Sequence, residues 1–122
     1  MKLERYSANH EPELHRLLQA RDMSITPVPK MGFAVLNMGR AAAMGFLREV
    51  EGGSYMFDSL ISDPSLNSEQ RHEAQRLLWS AIIEASAGHQ LFGYAENTGT
   101  IDRALSHGFI SVPHTILVYK GL

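Results

Sequence analysis

The sequence contains no cysteine and has little imbalance of charge, and both absences narrow what the protein can do. Without cysteine there is no disulfide, no thiolate metal ligand and no cysteine nucleophile. The formal net charge is -2 and the isoelectric point about 6.3, so we expect no nucleic-acid partner. No apolar run approaches the roughly 20 residues of a membrane-spanning helix, and the N-terminus lacks the apolar stretch of a secretory signal. We therefore expect a cytoplasmic protein with no membrane partner.

Motifs for metal binding and for hydrolysis are also absent. The histidines form neither a His-x-x-x-His nor a His-Glu-x-x-His pair, so we expect no metal site. They stand at His10, His15, His72, His89, His107 and His114. Because there is no Gly-x-Ser-x-Gly elbow and no P-loop lysine, a hydrolase triad and nucleotide hydrolysis have no support.

The composition is that of an ordinary globular protein. The chain has 122 residues, of which 44% are hydrophobic and 20% charged. This size fits one compact domain with one core. We therefore predict a single domain over residues 1–122.

Hydrophobic periodicity predicts an α/β fold with a mixed sheet (α+β). Alternating or short apolar runs predict strands at residues 2–7, 32–36, 42–50, 55–62, 90–95, 109–112 and 115–119. Helical spacing predicts helices at 10–21, from Asn67 or Ser68 to Gly88, and from Thr98 or Thr100 to Gly108. An antiparallel meander followed by strand–helix–strand crossovers implies helices on both faces of the sheet. Trp79 falls off the main apolar face of its helix, which predicts a sheet-edge or dimer contact.

The most informative motif is a strand that ends at a proline and leads into a helix. Residues 61–64 read Ile-Ser-Asp-Pro, residues 69–74 read Glu-Gln-Arg-His-Glu-Ala, and paired leucines follow at 77–78. Asn97 and then Gly108-Phe109 stand at a second characteristic spacing. In these features and in its element order, the chain resembles the GNAT superfamily of acetyltransferases. That family usually has Gln/Arg-x-x-Gly-x-Gly/Ala in the loop, where backbone amides hold the pyrophosphate of acetyl-coenzyme A.

The resemblance implies a GNAT-like fold, acetyl-coenzyme A as cofactor, and transfer of an acetyl group to a small-molecule or protein amine. Carried over position by position, it implies a cofactor site at Ile61, Ser62, Arg71, His72, Glu73, Ala74 and Asn97. Short superfamily members encoded by bacteriophages are similar in having a minimal chain. The resemblance therefore extends to members of the phage-related type.

Two interpretations of the predicted helix start after Asn67 remain open. A helix N-terminus binds phosphate through free amides, and Arg71, His72 and Arg76 would add positive charge. Glu73 and its neighbour Glu69 would repel an anion there. Alternatively, the same residues only cap the helix, with Gln70 closing a capping box. Asn97 likewise fits a cofactor contact or an N-cap.

Acetyl transfer needs a base for the amine and an acid for the leaving thiolate. The candidates are Tyr94 and Glu96, with Asp58 and Tyr119 as further choices. Against catalysis, His72 replaces the central loop glycine, and Ala104 aligns with the usual tyrosine of the family. The alternative function is therefore a catalytically inactive GNAT-fold binding or assembly module. The short chain and its apolar last strand also favour a homodimer.

Overall fold

The structure, a computed structural model, describes residues 1–25, 27–95 and 97–112. Its strands are β1 (Lys2–Arg5), β2 (Met31–Asn37), β3 (Arg40–Val50), β4 (Ser54–Ser62) and β5 (Leu91–Phe92). Its helices are α1 (Glu11–Ala20), α2 (Ser68–Ala85) and α3 (Thr98–Ser106), and a short 3₁₀ turn, Ala8–His10, precedes α1. The bounds of both long helices agree with the predicted ones to within a few residues. No described helix is both long enough and apolar enough to span a bilayer.

The five strands form one mixed sheet in the order β1-β2-β3-β4-β5. The first four strands are antiparallel neighbours, whereas β4 and β5 run parallel and are joined through α2. The tight β2–β3 turn places Met38 and Gly39 at φ of 53° and 81°. Two successive positive φ angles are typical of a hairpin turn that matches the twist of the strands. The predicted meander and the crossover after it are both confirmed.

The sheet carries one helix on each face. On one face, α2 buries Leu78 and Ile82 in a cluster that includes Val35 and Leu47 of the sheet. On the other face, α1 buries a leucine set against alternate strand residues. That second cluster contains Leu14, Leu17, Leu18, Ala34, Met44, Phe46 and Ile61. Because neighbouring strand residues point to opposite faces and helices cover both, the central residues of β2 and β3, 32–35 and 41–47, are all buried.

Strand β4 is interrupted by a bulge at its centre. Met44 pairs with Ile61, but Phe46 pairs with Asp58, so β4 has one residue more than β3 over this stretch. Ser59 lies in this gap with φ of 54°, in the left-handed region that non-glycine residues seldom adopt. Bulges bend a strand and often occur beside binding sites.

Three predictions about the second half of the chain were wrong. The strand predicted at 90–95 is only Leu91–Phe92, and residues 109–112 lie outside any strand. Trp79 is fully buried rather than placed at an edge, because the Phe109 ring packs on it at 5.4 Å between centroids. Phe109 thus covers a second side of helix α2, so that a wider face of the helix is buried. The strand predicted at 115–119 lies outside the described residues.

Candidate active site between two diverging strands

Strands β4 and β5 pair over two positions and then separate. Tyr55 pairs with Leu91 and Met56 with Phe92, and the parallel ladder ends there. A cavity of about 330 Å³ opens where the strands diverge. Its lining is Met56, Phe57, Asp58, Ser59, Leu60, Tyr94, Ala95, Asn97 and Thr100. The cavity thus joins the bulged part of β4 to the start of α3.

Asp58 is the carboxylate that the structure places in this cavity. Its Oδ2 accepts a hydrogen bond from Arg48 Nε at 2.6 Å, and its Oδ1 accepts one from the Ser59 hydroxyl at 2.9 Å. Arg48 Nη2 also donates to the Pro27 carbonyl at 2.9 Å. The carboxylate is therefore held in one orientation and connected to the segment that precedes β2.

Tyr94 and Asn97 lie on the opposite side of the cavity from β4. Tyr94 is 63% exposed, which is consistent with access to a ligand. Asn97 caps α3, its Oδ1 accepting from the Thr100 amide at 2.7 Å. The predicted N-cap role of Asn97 is confirmed, and its place in the cavity lining keeps the cofactor role open. Glu96 and Tyr119 lie outside the described residues.

The N-terminus of α2 begins in a capping box. Asn67 Oδ1 accepts from the Gln70 amide at 2.8 Å, and the Asn67 amide donates to Gln70 Oε1 at 3.1 Å. The helix therefore begins at Ser68, and its first amide-to-carbonyl bond runs from Arg71 to Asn67 at 3.0 Å. The amides of Ser68 and Glu69 precede that bond and remain available to an anion.

Residues 69–74, which align with the phosphate-binding loop of the family, are helical, and the predicted helix start at Asn67 or Ser68 is confirmed. Inside a helix the amides of His72, Glu73 and Ala74 donate to carbonyls four residues earlier, so they are not available to a phosphate. The His72 and Glu73 side chains are exposed, whereas Ala74 is fully buried in the core. The reason is local: Asn67 and Gln70 start the helix early, and no glycine interrupts it.

Arg71 turns back onto the segment that leads into α2. Its Nη2 donates to the Leu66 carbonyl at 3.0 Å, while its buried Nε has no hydrogen-bond partner within the described ranges. An unpaired buried donor is costly. Arg71 thus stabilises the turn before the helix and retains one unused donor.

Ile61 and Ser62, at the end of β4, are both buried. Ile61 belongs to the core beneath α1. Ser62 accepts two hydrogen bonds from Arg21, one to its carbonyl and one to its hydroxyl, each at 3.0 Å. Ser62 is therefore the better placed of the two to fix the strand end beside α2.

Sequence analysis missed an ion-pair network between α1 and the end of β4. Arg16 donates to Glu13 at 2.9 Å, to Asp63 at 3.0 Å and to the Ala41 carbonyl at 2.8 Å. The Arg16 hydrogen bond is the main cause that lowers the pKa of Glu13. Burial raises the pKa of Asp63, but the Ser65 amide and hydroxyl, together with Arg16, outweigh it and lower the pKa overall. Partners 47 residues apart leave no periodic signal in a sequence.

No cluster of three or more metal-ligating side chains occurs in residues 1–25, 27–95 and 97–112. His10 bonds Glu4, and His89 bonds the Gly53 carbonyl. His107 follows α3 and stacks on Trp79 at 6.0 Å. These three histidines have structural partners.

No protein-family profile matches the sequence, and no curated protein matches it. Solved structures do match. A putative acetyltransferase from Agrobacterium tumefaciens superposes with a TM-score of 0.76 at 12% identity, covering 98% of this chain and 100% of that one. A GNAT-family acetyltransferase of Streptococcus pneumoniae gives 0.75 at 14% identity, with 98% of both chains covered. An aminoglycoside N-acetyltransferase in complex with coenzyme A gives 0.72 at 16% identity, covering 99% and 100%. The chain therefore has the GNAT fold, as the resemblance implied.

Proposed function

We propose that this chain is an acetyl-coenzyme A-dependent N-acetyltransferase that acts as a single domain on a small-molecule amine. The observation that carries the proposal is the cavity of about 330 Å³ between the diverging strands of a GNAT fold. One structural neighbour is an aminoglycoside N-acetyltransferase in complex with coenzyme A, which supports both the cofactor and the acceptor class. The identity of the amine is left to experiment.

The residues present fit an extended acyl-coenzyme A. Strand edges that no longer pair offer main-chain donors and acceptors to an extended ligand. The amides of Ser68 and Glu69 offer a phosphate site at the start of an 18-residue helix. Arg71, whose Nη2 donates to the Leu66 carbonyl, adds positive charge to this first turn. We propose that these groups hold the pyrophosphate, that His72 contributes an exposed ring, and that Asn97 contacts the middle of the cofactor.

The other predicted site residues have packing or electrostatic roles. Ile61 and Ala74 are buried, so we propose that they shape the site from the core side. Ser62 is held by Arg21 and positions the end of β4. The exposed Glu73 adds negative charge on the next turn of the helix, which opposes phosphate binding.

When bound, acetyl-coenzyme A supplies a thioester whose C–S bond breaks as an amine forms the new C–N bond. The Asp58 carboxylate, oriented by Arg48, can accept the proton that the amine loses. The Tyr94 hydroxyl can donate a proton to the departing sulfur. Glu96 follows Tyr94 by two residues and is an alternative base.

Calorimetric titration with acetyl-coenzyme A tests the phosphate site directly. Ser68 is the first helical residue, a position where proline is tolerated, and Asn67 is already extended with ψ of 171°. The Ser68→Pro variant therefore deletes one amide donor and keeps the helix, whereas the control Ser68→Ala keeps the donor. Since a hydrogen bond to a charged group contributes about 1.5–3 kcal/mol, we expect binding roughly tenfold or more weaker in Ser68→Pro only. Equal affinity of the two variants would contradict the phosphate site.

Helical residues 69–74 favour a second function, a catalytically inactive GNAT-fold binding or assembly module of the phage-related type. In this alternative the capping box and the Arg71–Leu66 contact close the phosphate site. The same titration separates the two functions. Micromolar binding supports the enzyme, and no binding at millimolar acetyl-coenzyme A supports the module.

A homodimer is a separate proposal about assembly. Leu105 and Ile110 are 47% and 82% exposed, and both line a second cavity. Sedimentation equilibrium should give about twice the 13.6 kDa monomer mass. A monomer mass at all concentrations would exclude the dimer.

A further inference from the structure

A second and larger cavity lies behind the first. It has a volume of about 700 Å³ and is bordered by the end of α2, by β5 and by α3. Apolar side chains of its lining include Ile83, Leu91, Ile101, Leu105 and Phe109. The larger cavity also has polar side chains, among them His89, Gln90 and His107, whereas the smaller one carries the Asp58 carboxylate.

Within residues 1–25, 27–95 and 97–112, three residues line both cavities: Phe57, Tyr94 and Ala95. Of these, Tyr94 is largely exposed and Ala95 has a side chain of one carbon. Phe57 is buried, with 7% of its surface exposed, and it is the only one with a buried ring. The Phe57 ring is therefore the partition between the two cavities.

The ring is fixed from two directions. Trp79 packs against it edge-on at 5.2 Å between centroids and 67°, and Phe109 does so at 5.9 Å and 81°. On the β5 side it abuts Gly93, where any Cβ would overlap three of the ring carbons. Gly93 is the first residue after the paired part of β5, so the ring occupies the point at which the strands separate. Dense aromatic packing leaves the ring no low-cost alternative position.

We propose that Phe57 sets the acyl-chain specificity of the site by closing the larger cavity to the acyl group. This inference rests on the proposed function, because it assumes that the smaller cavity receives the acyl thioester. With the ring in place, the site accepts a short acyl group and excludes longer ones. Without it, the cavity of about 700 Å³ becomes continuous with the site and accommodates a longer chain.

The test is a calorimetric series with coenzyme A, acetyl-, butyryl- and hexanoyl-coenzyme A on the wild type, Phe57→Leu and Phe57→Met. Leucine replaces the ring by a smaller side chain. Methionine keeps most of the volume but is flexible, so Phe57→Met is a second variant that can be measured if Phe57→Leu folds poorly. Phe33→Leu is the matched control. Phe33 is a phenylalanine of similar exposure, 8%, in the same core cluster, and it lines neither cavity.

For the wild type and Phe33→Leu we expect hexanoyl-coenzyme A to bind more weakly than acetyl-coenzyme A. In the Phe57 variants we expect the ratio of the hexanoyl- to the acetyl-coenzyme A dissociation constant to fall by roughly tenfold or more. One extra or missing methylene in a pocket changes discrimination by about 10-fold to 200-fold. An unchanged chain-length profile in folded Phe57 variants, with coenzyme A still bound, would overturn this inference alone. Failure of the wild type to bind any member, coenzyme A included, would overturn the proposed function and this inference with it.

Discussion

The two edges of β4 differ in how far they are paired. Toward β3 the register continues from Val50–Ser54 to Ala43–Ser62, interrupted only by the bulge at Ser59. Toward β5 it stops after Tyr55 and Met56. One strand thus closes an antiparallel sheet on one side and opens a cavity on the other. The same strand therefore stabilises the sheet at one edge and leaves room for a ligand at the other.

Packing around the two edges differs in the same way. The closed side is filled by small and aliphatic residues with Phe46 at the centre, fully buried and edge-on to Tyr6 at 5.0 Å. The open side has polar groups in its cavity and an aromatic partition at Phe57. We therefore expect substitutions on the closed side to alter mainly stability and those on the open side to alter mainly binding.

The largest expected effect is on the closed side. Replacing Phe46 by alanine removes a fully buried ring and should lower the free energy of unfolding by about 3–5 kcal/mol. Denaturant unfolding measures this loss in the free energy of unfolding. Met38→Ala, at the 97% exposed turn residue, is the control and should change stability by less than about 0.5 kcal/mol. Similar losses in both variants would refute the distinction between the closed side and its turn.

The next effect is at the branch point. Gly93→Ala places a Cβ against the Phe57 ring and should cost about 1–3 kcal/mol, the range for overpacked cores. Because a smaller side chain at 57 makes room, Phe57→Leu should recover part of that loss in the double variant. A thermodynamic cycle of the four proteins measures the coupling. Strict additivity would show that Gly93 and Phe57 do not share this space.

A smaller effect concerns the ion pairs between α1 and the end of β4. Arg16→Gln removes the partner of Glu13 and Asp63 and should cost about 1 kcal/mol at neutral pH. Both carboxyl groups have folded pKa values lowered from their usual range, so their stabilisation is present above about pH 4 and is lost as the pH falls. The difference between wild type and variant should therefore shrink on acidification below about pH 4. Unfolding curves at several pH values check this.

Arg5→Gln is the control for that experiment, since Arg5 is exposed and the substitution changes the net charge equally. It should leave stability nearly constant at every pH. A loss equal to that of Arg16→Gln would assign the effect to net charge.

The smallest effect on stability is expected at Asn97. Serine is also a good N-cap, so Asn97→Ser should change stability by only a few tenths of a kcal/mol, whereas Asn97→Ala should cost about 1 kcal/mol. If the Asn97 amide contacts the cofactor, Asn97→Ser should still weaken acetyl-coenzyme A binding by roughly threefold to tenfold, the worth of one neutral hydrogen bond. Wild-type affinity in Asn97→Ser would leave Asn97 with its capping role only.

Local patterns in the sequence predicted the closed side well. The spacing of Leu14, Leu17 and Leu18 predicted α1, and alternation or apolar runs predicted β2 to β4. The fold followed from these elements and their order, because an antiparallel meander leaves few arrangements for the helices. The capping box at Asn67 and Gln70 was recognisable for the same reason, since its partners are three residues apart.

The open side depends on contacts between distant residues, which no local pattern contains. The apolar run at 90–95 predicts a strand, but its pairing ends because the Phe57 ring lies against Gly93. The burial of Trp79 depends on its contact with Phe109. The Arg16–Asp63 pair joins α1 to the segment between β4 and α2. The site residues at Asp58, Tyr94 and Asn97 could be proposed from the sequence, but the size and full lining of the cavity that they share could not.

Amide NMR of the labelled protein during titration with acetyl-coenzyme A tests the central claim most directly. The account predicts saturable shifts at Asp58, Ser59 and Tyr94 in the cavity and at Ser68 and Glu69 at the start of α2. Amides of the β2–β3 turn, Met38 and Gly39, should remain unchanged. Shifts confined to that turn or to α1, or no shifts at millimolar cofactor, would contradict the claim that the open edge of β4 is the binding site.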